Sequence, residues 1–125
     1  MKQLSLLSTI NKETERKIQK EVINILREYQ ALKMRLEHEA EQDYINVFPE
    51  LCDSKELYRS KVKLIEQVLN EILDHDERNI IMMKFLTNKN WKDSYVQNEL
   101  MLSNSYFYQK KKNAIKLLAI ALGVM

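Results

Sequence analysis

An all-helical fold is the expectation for this 125-residue sequence, and three observations carry it. One glycine and one proline leave almost no vocabulary for the tight hairpins a sheet protein needs. Apolar residues recur at three- and four-residue steps in successive segments, the spacing of one helix face. Ser and Asp stand where those segments begin, suited to accepting the unpaired N–H groups of a first turn. A composition dominated by Leu, Ile, Lys, Glu and Met agrees.

Residues 1–10 form a lead-in with Leu4, Leu6, Leu7 and Ile10 available to pack. Asn11 is the expected cap of a first helix, with Glu13 and Glu15 near its positive end. Ile18, Val22, Ile25, Tyr29, Leu32 and Leu36 then step alternately by four and three, and Ile23 and Leu26 widen the stripe. Two readings of this helix stand: a core element of a bundle, or a homodimer contact through 11–37. The acidic run Glu37–Asp43 closes the helix or carries it into solvent. Tyr44 to Ser54, with Pro49, is the linker candidate, so the expected organisation is an N-terminal helix and linker over 1–53 and a helical domain over 54–125.

Asp53 and Glu56 have capping-box spacing before a helix from Ser54 to Leu73, which presents Tyr58, Val62, Ile65, Val68, Leu69 and Ile72. Asp74 and Glu77 repeat that spacing before a short helix with Ile80, Ile81, Met83, Phe85 and Leu86, and Met82–Met83 reads as core filling. Thr87–Asn90 is a turn. Trp91 anchors the start of another short helix, with Val96 and Leu100 inward, and Met101–Leu102 turn into the last one. That helix, over 103–122, is capped by Ser103, carries Phe107, Ala114, Leu118 and Leu122 with Leu117 and Ala121 beside them, and ends at Gly123.

Charge is distributed unevenly along the chain. Residues 1–100 carry sixteen Lys/Arg against eighteen Asp/Glu, whereas 101–125 carry four lysines and no carboxylate. A lysine block without acids is the local signature of a nucleic-acid contact, although any such cluster is also what a solvated helix face looks like. Catalysis is not expected. His38 and His75 are not at ligand spacing, Cys52 is the single cysteine, and one glycine near the C-terminus makes no phosphate loop. Neither metal nor cofactor is implied. With no run of about 18 apolar residues, no membrane span is expected, and the lone cysteine and weak N-terminal apolar stretch favour the cytoplasm.

The polar side of the last helix holds the candidate site. Asn104 and Gln109 carry the paired donor and acceptor that can bond adenine bidentately. Lys110, Lys111 and Lys112, with Lys92 on the preceding helix, are candidates for phosphate, and Lys116 is expected in solvent. Tyr106 and Tyr108 have hydroxyls for phosphate or rings for a thymine methyl, with packing against the preceding helix as the other reading of Tyr108. Ser105 sits beside Asn104 at the helix start, where capping alone also explains polar residues.

Two short helices joined by a three- or four-residue turn, the second opening at Ser103, make a helix-turn-helix pattern. The stretch V-Q-N-E-L-M-L-S-N-S-Y-F-Y-Q-K-K-K-N-A-I-K-L-L resembles the fourth region of bacterial sigma factors. That resemblance implies Val96, Leu100, Leu102 and Phe107 as packed positions, and the residues after Ser103 facing the major groove. S-N-S-Y-F-Y-Q-K-K-K-N-A followed by a leucine/alanine helix is similar to the ArpU/RinA type of phage late-gene regulators, as is L-R-E-Y-Q-A-L-K at Leu26 to Lys33. The chain departs from the usual pattern at Gln97, where a small residue is preferred, at Met101, where glycine is preferred, and at Lys110, which many members keep apolar.

The resemblance implies an N-terminal helical extension plus a C-terminal helix-turn-helix domain of the sigma region-four-like type. The function it implies is that of a sequence-specific regulator of phage or prophage late genes, an activator that binds double-stranded DNA and contacts RNA polymerase. The alternative from another class is a helical interaction module whose basic C-terminal face binds an acidic protein.

Overall fold

The computed structural model describes residues 12–41 and 55–125, and every regular element among them is helical. The expected cap at Asn11, the 44–54 linker, Cys52 and the Asp53 half of the first capping box lie outside the described residues. No helix among those described is long and apolar enough to cross a membrane.

Helix α1 (Lys12–Glu41) has 30 residues and so extends for about 45 Å. Its heptad-like stripe turns inward: Val22, Leu26 and Tyr29 are buried, and Ile18, Ile25, Leu32 and Leu36 pack around them. Helix α2 (Lys55–Gln67) lies against α1. Arg35 sits 5.3 Å from the Tyr58 ring centroid, and Lys61 pairs with Glu28 at 3.4 Å across the same seam.

The next five residues, Val68–Ile72, form a π-helical turn, closed by the Leu73 N–H donating to the Val68 carbonyl at 3.2 Å. A π turn holds more residues than an α turn and rotates everything after it. The face therefore shifts by one position. Leu73 is buried, while Ile72, expected on the apolar side, is 52% exposed.

Helix α3 (His75–Phe85) opens on a complete capping box. Glu77 N–H donates to Asp74 Oδ1 at 2.8 Å, and Asp74 N–H donates to Glu77 Oε1 at 2.9 Å. Ile80 and Ile81 are both fully buried, in different places. Ile81 joins the main core with residues of α1, α2, the π turn and the last helix, whereas Ile80 joins Val96 and Phe107 in a smaller cluster. The helix is a shared wall, so Met82, on its outer side, is exposed rather than core filling.

Helix α4 (Asp93–Glu99) and helix α5 (Asn104–Ala121) complete the chain. Phe107, near the start of α5, fills the small cluster, while Ala114, Ile115, Leu118 and Ala119 enter the main core. This buried stripe includes Ile115 and Ala119 and leaves Ala121 exposed, because α1 and α3 embrace α5 from two sides. Gly123, at φ +74°, ends α5, with Val124 N–H donating to the Ala119 carbonyl and Gly123 N–H to that of Ile120.

Candidate nucleic-acid interface

The polar face of α5 is positioned by the small cluster beneath it. Val96 and Phe107 are fully buried against Ile80, and Leu100, Leu102, Met83 and Trp91 close around them. These contacts fix how α4 meets α5. Trp91 also stacks on Tyr95, at 4.3 Å between centroids and 19° between planes, anchoring the entry to α4.

The turn between them has two well-defined ends. Leu102 N–H donates to the Gln97 carbonyl and Met101 N–H to the Asn98 carbonyl, both at 3.1 Å, which is the paired closure of a left-handed helix ending. Met101 supplies the left-handed residue, at φ +57°, with 90% of its surface exposed. Glycine is preferred here for its backbone, since the methionine side chain meets no crowding. Two residues on, Ser103 Oγ accepts from Tyr106 N–H at 3.4 Å and starts α5.

An ionic cluster locks the same corner. Asp93, in the first turn of α4, takes Lys111 Nζ on both oxygens at 3.1 and 3.0 Å, and Lys84 at 3.3 Å. Lys84 also donates to the Trp91 carbonyl. Burial alone would push the Asp93 carboxyl up, but the hydrogen bond and charge of Lys111, reinforced by Lys84, outweigh it and hold it below the usual carboxylate range. Lys111, with 14% of its side chain exposed, is thus turned inward to hold α4 on α5.

The flanks of α5 are engaged too. On the α3 side, Tyr106 OH donates to Asp76 Oδ2 at 2.7 Å, and Lys110 donates to Asp74 Oδ2. The bond to Asp76 favours the protonated phenol and raises the Tyr106 hydroxyl above its ordinary value; the bond to Asp74 does the same for the Lys110 ammonium. Desolvation would raise the Asp74 carboxyl, yet Lys110 and the capping N–H groups bring it below the ordinary value. On the α1 side, Lys112 stands 3.7 Å from Glu15. A groove of about 280 Å³ lies there, between Glu15, Ile18, Tyr108, Lys112 and Ile115. Tyr108 is 47% exposed and sets its ring edge-on to Phe107 at 5.2 Å, a contact within α5 itself.

Between these flanks runs a strip without carboxylates. Asn104, Ser105 and Gln109 are exposed on it, and Lys92 is exposed at the start of α4. Lys116, expected in solvent, is half-buried. Two features of this face lie beyond the residues expected from α5 alone. Asn113, exposed one turn after Gln109, was legible from its four-residue spacing. The carboxylates of Glu15, Asp74, Asp76 and Asp93 were not, because each comes from another helix.

Compared with known proteins, the chain matches no family model, no curated protein and no solved structure.

Proposed function

We propose that this protein is a sequence-specific, double-stranded-DNA-binding transcriptional regulator in which α4, the 100–103 turn and α5 act as a helix-turn-helix of the sigma region-four-like kind. The observation that carries this reading is the exposed strip of α5. It offers a hydroxyl and amides with no carboxylate, on a helix held from behind by Val96 and Phe107. Base edges in the major groove need such paired donors and acceptors. Asn104, Ser105 and Gln109 are the base-reading candidates. Lys112 and Lys92, with Tyr106, Tyr108 and Lys110 at the edges, meet phosphate, and Lys111 positions the helix through Asp93.

The likeness of this segment to ArpU/RinA-type regulators makes activation of phage or prophage late genes, with contact to RNA polymerase, the specific form of the proposal. A homodimer through 11–37 would use the side of α1 that carries Met34, which is 72% exposed, since Val22, Leu26 and Tyr29 are occupied within the chain.

Selection from random duplex DNA tests the reading. An enriched consensus that disappears when Tyr106 and Gln109 are both changed to Ala supports it, and a two-fold symmetric consensus supports the dimer. Absence of any enrichment at moderate salt would reject it in favour of an acidic protein as the partner of the lysine face.

A further inference from the structure

The centre of the exposed face of α5 holds a second side-chain amide to which the roles above assign nothing. Asn113 lies one turn beyond Gln109 and is exposed, as are Gln109 and Ser105. A solvated helix face is ordinarily charged. Here Lys110 is drawn to Asp74 at one edge and Lys112 to Glu15 at the other, and Tyr106 is drawn to Asp76, while Lys116, one turn beyond Lys112, is half-buried. Within the described residues, Ser105, Gln109 and Asn113 make no side-chain hydrogen bond or ion pair, so both amides keep their donor and acceptor for a ligand.

Resting on the reading that α5 enters the major groove, we infer that Asn113 is a further specificity-determining residue, which with Gln109 reads two adenine-bearing base pairs about two steps apart. Each amide can accept from the adenine exocyclic amine through its oxygen and donate to N7 through its nitrogen. A rise of about 1.5 Å per residue separates the two backbone positions by about 6 Å along the helix, close to two base steps of about 3.4 Å. Asn has one methylene fewer than Gln, so the helix must lie at least as deep at Asn113 as at Gln109. The target is therefore a duplex read along α5 rather than only at its N-terminal tip.

The test is selection from random duplex DNA with the full chain, Gln109→Ala and Asn113→Ala at one salt concentration, with helical content checked by circular dichroism. The expected wild-type consensus holds two A·T positions about two steps apart. Asn113→Ala should lose about tenfold or more in discrimination at one of them and retain the other, and Gln109→Ala should do the reverse. An Asn113→Ala consensus identical to that of the wild type overturns the inference while leaving DNA reading intact. Equal weakening on every duplex, with the consensus preserved, overturns it as well. A wild-type protein that enriches nothing overturns the DNA-binding reading and this inference together.

Discussion

Met101 adopts a left-handed backbone that L side chains disfavour by about 1–2 kcal/mol, and its side chain is 90% exposed, so little packing compensates. Met101→Gly relieves that cost while loosening the unfolded chain, which offsets part of the gain. The expected outcome is a stabilisation of about 0.5–1 kcal/mol in denaturant unfolding; a less stable variant would show that the methionine has packing the exposure conceals. Asp93 makes the second residue-scale case. Its carboxyl is held below the ordinary range in the folded state, so the folded chain gives up protons more readily than the unfolded one. Its contribution is complete above about pH 4, the ordinary aspartate region, and is lost as pH falls through the depressed native value. Asp93→Asn is expected to lower stability at neutral pH and to flatten the loss of stability below about pH 4. An unchanged acid limb in circular dichroism titrations would remove Asp93 from that role.

At the scale of elements, α5 depends on its start and on its floor. Ser103→Ala removes the hydroxyl that accepts from Tyr106 N–H and should cost about 1 kcal/mol, measurable as a lower unfolding midpoint. Phe107→Ala empties the small cluster and should cost about 3–5 kcal/mol, because Ile80 and Val96 are themselves fully buried and cannot collapse onto the gap without moving α4. The start of α3 acts on α5 from the side. Asp76 accepts from Tyr106, and Asp74 from Lys110, at the edge where a phosphate would approach. Asp76→Asn, which keeps the size of the side chain and removes its charge, should tighten binding to all duplexes about equally. A weaker complex would mean that Asp76 orients Tyr106 for contact rather than competing for it.

Across the chain, the formal charge of +2 is too small to drive the proposed DNA binding by itself, so under that proposal the distribution of cations would decide affinity. Lys112→Ala should weaken all duplexes alike and reduce the slope of log affinity against log salt by about one, whereas Gln109→Ala should cost about 1–3 kcal/mol on the preferred site and little elsewhere. Identical effects on matched and mismatched sites would dissolve that division of labour. The core also spans the whole length of the described chain. Val22 and Leu26 of α1 lie in one cluster with Ile65, Ile81 and Leu118. Leu26→Ala should therefore destabilise α5 along with α1, by about 2–5 kcal/mol in one cooperative transition.

The features legible along the chain were local. Capping at Ser103 and at Asp74 with Glu77, the terminating glycine at 123, the buried side of α1 and the inward positions Val96, Leu100 and Phe107 were all legible, because each follows from the chemistry of residues within a turn or two of one another, whereas Leu102 as a packed position was implied only by the resemblance. Periodicity failed where a neighbour intervened. The π turn carried Leu73 inward in place of Ile72, and the sharing of α3 between two clusters left Met82 outside. The candidate site divides in the same way. The amide and hydroxyl content of α5 could be read along the chain, down to the spacing of Gln109 and Asn113. Which lysines remain turned outward could not. Only the tertiary structure brings Glu15, Asp74 and Asp93 to Lys112, Lys110 and Lys111, because charges distant in sequence interact only once the packing of other helices sets the distance between them.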